Sequence, residues 1–113
     1  MKAVTRILFL DEQDQKFFGQ GPCRLLRGVE KTGSLRASAM QMGMAYTKAL
    51  KLLKNAENAL GYSLTMRTAG GRDGGGSRLT LEGEEWLKRY EAYTEACIQA
   101  NRRLYLEFFP EQR

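Results

Sequence analysis

A chain of 113 residues, with 42% hydrophobic and 27% charged side chains, is long enough for one domain built around one hydrophobic core. It has no histidine, and its two cysteines, Cys23 and Cys97, match no metal-binding spacing. The commonest general base and the commonest zinc ligand are therefore excluded, so we expect neither an enzyme nor a cofactor. The longest apolar run, Ile7 to Leu10, is too short for a membrane span or a signal peptide. We therefore expect a cytoplasmic protein with reduced thiols.

The net charge of +5 is unevenly distributed along the chain. Residues 35–80 have seven basic and two acidic side chains, whereas residues 81–113 have five basic and seven acidic ones. A polyanion binds where positive charge can replace the counterions of its phosphates. The distribution favours a nucleic-acid partner for the middle of the chain, although a basic face that only maintains solubility would have the same composition.

The first third of the chain predicts a strand followed by a helix. Ala3 to Leu10 is rich in residues that favour strands, and a polar turn follows at Asp11 to Gln15. Pro22 suits the first turn of a helix, because its missing N–H is not needed there. The apolar spacing after it predicts that this helix runs to about Lys31.

Two further helices are predicted with a tight turn between them. Ser34 is the expected N-cap of a helix over about Leu35 to Met42. Gly43 can adopt the left-handed conformation that a sharp helix-to-helix turn requires. The next helix covers about Ala45 to Leu60 and stops at Gly61.

The remaining pattern is a hairpin and a long helix. Leu64 to Thr68 and Arg78 to Leu81 are predicted strands, and five glycines lie in the loop between them. Thr80 or Glu82 should cap a last helix that extends to about Phe108. This order predicts an α+β, mostly α fold: a single winged helix-turn-helix domain over 1–113. Its parts are a strand and turn at 1–20, the helix-turn-helix and wing at 21–81, and a dimerisation helix at 82–113.

The second helix of the motif should read DNA. A recognition helix buries one side and presents polar or basic residues on the other, mainly in its first turns. Tyr46, Thr47, Lys48 and Lys51 meet that requirement, since Thr47 suits a thymine methyl group and the lysines suit guanine acceptors or phosphates. The alternative is a solvated helix face.

Two other segments are candidate contacts with the DNA backbone. Ser34 and Arg36 lie where the first helix of such a motif meets phosphates. Arg67, Arg72 and Arg78 surround the glycines, so the loop could follow a phosphate chain or place an arginine in a narrow minor groove. A nucleotide-binding P-loop is excluded, because its glycines must lead into Lys-Ser/Thr at a helix start. A hairpin tip without a ligand is the remaining alternative.

The last helix has an apolar repeat of 3.5 residues, which is typical of a helix that pairs with another helix. A helix of this length, roughly 40 Å at 1.5 Å per residue, should project beyond a small domain. We therefore predict a homodimer, whereas packing of the same face on the chain's own core is the alternative. The predicted interface residues are Trp86, Tyr90, Tyr93, Cys97, Ala100 and Leu104.

These motifs together resemble a known family of transcription factors. The residues that carry the resemblance are Gly33-Ser34, Gly43-Met44, Tyr46, Gly70-Gly71, Gly74-Gly75-Gly76, Leu79-Thr80 and Gly83. The chain resembles the N-terminal domain of ModE-type regulators, which respond to molybdate, and more distantly the DNA-binding domain of LysR-type regulators. The resemblance implies a dimeric DNA binder that uses its first strand and final helix for dimerisation. It does not extend to a molybdate-binding region, so we expect no oxyanion site here.

The combined expectation is a sequence-specific transcriptional regulator that binds double-stranded DNA as a homodimer on a near-palindromic operator. A separate ligand-sensing protein could supply its regulation, or abundance alone could do so. The alternatives are a non-catalytic protein-interaction module of the same fold, or a thiol or small-ligand sensor that uses Cys23 or the glycine loop.

Overall fold

The computed structural model describes residues 1–69 and 76–113 and is mostly helical, as predicted. Two two-stranded antiparallel sheets accompany the helices. The elements in chain order are β1 (Phe9–Leu10), β2 (Lys16–Phe18), α1 (Gln20–Thr32), α2 (Leu35–Gln41), α3 (Tyr46–Leu60), β3 (Thr65–Thr68), β4 (Gly76–Leu79), α4 (Leu81–Phe108) and a short 3-10 turn (Pro110–Gln112). The predicted helices and both wing strands are present with ends shifted by one or two residues.

The N-terminal strand was predicted wrongly over most of its length. Only Phe9–Leu10 of the expected Ala3 to Leu10 is a strand, and it pairs with β2, which the sequence analysis missed. The preceding residues lie along α4 instead, where Tyr90 donates its hydroxyl proton to the carbonyl of Ile7 at 2.7 Å. The strand-favouring residues of this segment therefore lie against a helix, because residue composition does not specify what pairs with the backbone.

The hydrophobic core lies where α1, α2, α3 and the first part of α4 meet the two hairpins. Its largest fully buried apolar side chains are Phe18, Leu25, Leu26, Val29, Leu64 and Leu87. Burial of this kind stabilises each large side chain by roughly 1.5–3 kcal/mol. The core fixes the orientation of α3, whose Ala49, Leu53 and Ala56 point into it.

The helix-turn-helix has the local geometry that the sequence predicted. Ser34 caps α2 by accepting a hydrogen bond from the Ala37 backbone N–H at 3.0 Å. Gly43 has φ +66°, the left-handed conformation expected in the turn. The turn is closed by the Met44 N–H, which donates to the Ala39 carbonyl at 2.9 Å. Local interactions thus form the turn between α2 and α3, while the core contacts of both helices contribute to the angle between them.

Helix α4 is partly buried and partly projecting. Its buried residues are Gly83, Leu87 and Tyr90, all in its first ten positions. The molecule measures 57 × 30 × 24 Å, and the long dimension agrees with the expectation that this helix extends beyond the domain. Within residues 1–69 and 76–113, no helix combines the length and the apolar character that a membrane crossing needs.

Candidate nucleic-acid interface

The outer face of α3 presents the polar residues that the sequence analysis selected. Thr47, Lys48 and Lys51 are exposed in the first two turns, while Tyr46 is half-buried at the first position of the helix. Across the described parts of the chain, ion pairs form only within the Arg27–Glu30–Glu91 cluster. The two lysines are therefore not neutralised by a described carboxylate, which favours binding of an anion.

The first residues of α2 contribute two different side chains. Ser34 accepts the Ala37 N–H with its hydroxyl oxygen as the N-cap, which leaves the hydroxyl proton available for the predicted phosphate contact. Arg36 is exposed, and its guanidinium carbon lies 4.1 Å from the centroid of the Tyr46 ring. This cation–π contact joins the first turn of α2 to the first residue of α3 across the turn.

The wing is attached to the start of the helix-turn-helix. The backbone N–H of Ser77 in β4 donates to the carbonyl of Gly33 at 2.8 Å, directly before the N-cap Ser34. At the other end of the wing, Thr80 donates its hydroxyl proton to the Ser63 carbonyl at 2.7 Å and accepts the Gly83 N–H at 2.9 Å. These bonds hold β3 and β4 in a fixed position relative to α2 and α4.

The wing arginines do not share one surface. In the antiparallel register Arg67 lies opposite Ser77, and Met66 lies opposite Arg78. Opposed residues share a face and neighbours alternate, so Arg67 and Arg78 lie on opposite faces of the hairpin. Both are exposed. Arg72, the third predicted contact, lies outside the described residues.

Comparison with known proteins gives two kinds of match, and no family model matches the chain. A protein named molybdenum transport protein ModE from Herbaspirillum seropedicae is 38% identical over 74 residues, which cover 66% of this chain and 26% of the relative. A protein of the same name from Azotobacter vinelandii is 33% identical over 85 residues, 72% of this chain and 32% of the relative. Transcriptional regulator ModE of Yersinia pestis is 29% identical over 85 residues. The chain resembles the N-terminal region of ModE-type regulators.

The ModE-like chain spans only about a quarter to a third of the length of these relatives. Its fold matches two solved DNA-binding domains. One is that of CbnR in complex with DNA, with a TM-score of 0.60, 18% identity, and coverage of 77% of this chain and 94% of that one. The other is that of BenM in complex with benA site 1 DNA, with a TM-score of 0.53, 19% identity, and coverage of 75% and 93%. The predicted winged helix-turn-helix fold is thereby confirmed.

The apolar repeat of α4 in this ModE-like chain divides into two parts. Tyr90 is 3% exposed, and its ring centroid lies 4.9 Å from that of Phe18. Trp86 is half-buried, with centroid distances of 5.3 Å to Phe18 and 5.5 Å to Phe9. The first two positions of the predicted interface therefore pack on the chain's own core, as the alternative interpretation expected.

The later positions of the repeat are accessible. Tyr93 is 53% exposed and Leu104 is 44% exposed, while Cys97 and Ala100 are half-buried. Leu106 and Phe108, near the end of α4, are also exposed apolar residues but were not among the predicted interface residues. They lie within four positions of Leu104 in the chain but fall outside the 3.5-residue spacing.

Cys23 lies in a different environment, at the contact between α1 and α4. Burial raises the pKa of its thiol to about 11, the nearby Glu91 carboxylate adds to the increase, and Arg27 opposes it. The Arg27 guanidinium hydrogen-bonds to Glu91 and holds the pKa of that carboxyl below its usual value. At neutral pH the Cys23 thiol is therefore protonated and a poor nucleophile. This environment does not favour the thiol-sensor interpretation at Cys23.

Proposed function

We propose that this chain is a sequence-specific DNA-binding transcriptional regulator that places α3 in the major groove. The observation that carries the proposal is the exposed basic face of α3. The core fixes the orientation of this helix, and the wing is hydrogen-bonded to the start of the same helix-turn-helix. The relatives support it, because the Yersinia pestis protein is named a transcriptional regulator. The structural neighbours support it as well, since both are DNA-binding domains in complex with DNA.

Each candidate residue has a distinct role in this proposal. Thr47 and Lys48 contact base edges, since they lie in the first turn of α3, and Lys51 follows one turn later. Ser34 and Arg36 contact the backbone beside the groove. One face of the wing, with Arg67 or Arg78, contacts flanking phosphates, and Arg72 is a further candidate for such a contact.

We further propose that two copies pair through the projecting part of α4, from Tyr93 to Leu104, and bind a near-palindromic operator. Exposed apolar side chains at this spacing would be covered by the equivalent helix of a second copy. The residues 1–113 then act as one DNA-binding domain. Sedimentation velocity of the wild type and of Leu104→Glu tests this step: a dimer that becomes a monomer is expected. A monomeric wild type at tens of micromolar would refute it.

The DNA-binding proposal is tested by fluorescence anisotropy with a labelled random-sequence duplex over a series of salt concentrations. Affinity should fall steeply from low to physiological salt, because each phosphate contact releases counterions. A protein-interaction module would not bind the duplex. After operator selection, Lys48→Ala should cost about 1–3 kcal/mol at one operator position and relax the preference there.

The matched control removes the same charge elsewhere. Lys88 is exposed in the first part of α4, before the proposed dimer segment, so Lys88→Ala changes the net charge as Lys48→Ala does but lies outside the helix-turn-helix. Operator affinity should be nearly unchanged in Lys88→Ala. Equal losses in the two variants would mean that only net charge matters and would contradict base reading by Lys48.

A further inference from the structure

Arg36 and Tyr46 are ten positions apart in the chain, yet they form one surface unit. The guanidinium carbon of Arg36 lies 4.1 Å from the centroid of the Tyr46 ring, a distance at which the two planar groups are in contact. Tyr46 is the first residue of α3, and its half-buried ring has only two rotatable side-chain torsions. It can therefore act as a rigid surface on which the longer and more flexible arginine side chain is held.

A cation–π contact of this kind uses none of the hydrogen-bond donors of arginine. The five N–H donors of a guanidinium lie in its plane, so a ring that covers one face does not block them. In the part of the chain that the structure describes, Arg36 makes no ion pair and its guanidinium donates no hydrogen bond. The group is exposed, charged and held in place, which is the arrangement required for bidentate binding of a tetrahedral oxyanion.

We propose that Arg36 and Tyr46 form a phosphate clamp, in which the Tyr46 ring orients the Arg36 guanidinium toward a DNA backbone phosphate. The inference rests on the proposed DNA-binding function and extends it: Arg36 makes the contact, and Tyr46 is a positioning residue. A phosphate is the expected ligand because Arg36 belongs to α2, and the first helix of the motif crosses the backbone while α3 reads bases. Since the stack joins α2 to α3, the same phosphate contact also fixes the register of the recognition helix in the groove.

The test is a double-mutant cycle, measured by anisotropy on the labelled random-sequence duplex at several salt concentrations. Arg36→Ala should weaken binding roughly tenfold, as expected for loss of a charge-assisted hydrogen bond. It should also make the slope of log K against log salt concentration shallower by about 0.9, because one phosphate contact is lost. Tyr46→Leu alone should weaken binding about threefold, and it should have no further effect when it is combined with Arg36→Ala.

Two conservative variants separate orientation from charge and guard against a folding defect in Tyr46→Leu. Arg36→Lys keeps the charge but loses the planar stack, so the salt slope should be retained while affinity falls about threefold. Tyr46→Phe keeps the ring and should bind as the wild type does. Thermal melts of all variants establish that only folded proteins are compared. If Tyr46→Leu does not fold, the affinities of Arg36→Lys and Tyr46→Phe test whether the Tyr46 ring orients Arg36.

The outcomes distinguish this inference from the proposed function. Absence of salt-dependent binding by the wild type would refute the proposed function itself. Wild-type binding with independent, additive losses in Arg36→Ala and Tyr46→Leu, or full affinity in Arg36→Lys, would refute the clamp alone. A loss in Arg36→Ala that is confined to one base pair of a selected operator would also overturn the phosphate assignment, since it would identify a base contact.

Discussion

The contact between α1 and α2 gives a sharp prediction at Gly28. A Cβ atom at this position would lie 1.9 Å from the Ser38 Oγ and 2.8 Å from the Ser38 Cβ. Ser38 is 1% exposed, and its hydroxyl donates to the Leu25 carbonyl at 2.7 Å. Gly28→Ala therefore forces Ser38 to move, which disturbs the position of α2 and breaks a buried hydrogen bond.

The expected cost follows from three contributions. Overpacking of a close contact costs about 1–3 kcal/mol, and loss of the Ser38–Leu25 hydrogen bond adds about 1 kcal/mol. Alanine favours a helix over glycine by about 1 kcal/mol, which opposes these costs. We expect Gly28→Ala to lower the free energy of unfolding by about 2 kcal/mol, or the melting temperature by about 8 °C.

Urea denaturation of a mutant cycle measures this quantity. In Ser38→Gly the nearest atom to the new methyl group is the Ser38 Cα at 3.4 Å, so Gly28→Ala should become stabilising in that background. Gly21→Ala is the control on the same helix: a Cβ there meets nothing within 4 Å, so the change should not destabilise. The same loss for Gly28→Ala with and without Ser38→Gly, or no loss at all, would refute the steric argument.

Two further predictions concern α4 and the buried thiol. Gly83→Ala would place a Cβ 2.3 Å from the Leu64 carbonyl oxygen, a backbone atom that no rotamer change can move. Thermal melts should therefore show a loss of at least about 2 kcal/mol in the free energy of unfolding, and an unchanged melting temperature would contradict this. For Cys23 the folded pKa of about 11 lies above its ordinary value of 9.0, so its stabilising effect is complete below about pH 9 and is lost as the pH rises to about 11. The difference in free energy of unfolding between wild type and Cys23→Ala, measured by urea titration, should therefore shrink by up to about 2 kcal/mol over this pH range. A pH-independent difference would contradict the raised pKa of Cys23.

The helix-turn-helix was predictable from the sequence because its determinants are local. The N-cap at Ser34, the left-handed glycine at Gly43 and the apolar stripe of α3 each act over a few residues. The wing strands were predictable for the same reason. The pairing register of the two strands was not predictable, because no local signal specifies which residue of 76–79 lies opposite which residue of 65–68. The observed register places Arg67 and Arg78 on opposite faces.

Long-range packing explains what the sequence could not establish. An apolar repeat in a helix requires a covered face but does not identify what covers it, so Tyr90 could equally have faced a second copy or Phe18 of its own chain. The N-terminal residues were unpredictable for the same reason, since the Ile7 carbonyl accepts its hydrogen bond from Tyr90 of α4, 83 positions away in the chain. The Arg36–Tyr46 stack has no periodic signal at all, because it depends on the angle between two helices.

The junction at Gly33 shows how these local and long-range features combine. Gly33 ends α1 in the left-handed conformation, with φ +75°, and its N–H donates to the Val29 carbonyl at 2.7 Å. Its own carbonyl accepts the Ser77 N–H of the wing, and the next residue, Ser34, caps α2. One short segment thus connects the end of α1, the start of α2 and strand β4. The Ser77–Gly33 hydrogen bond and the Gly33–Ser34 peptide unit therefore place strand β4 directly beside the N-terminus of α2, where Arg36 and the wing arginines are the proposed phosphate contacts.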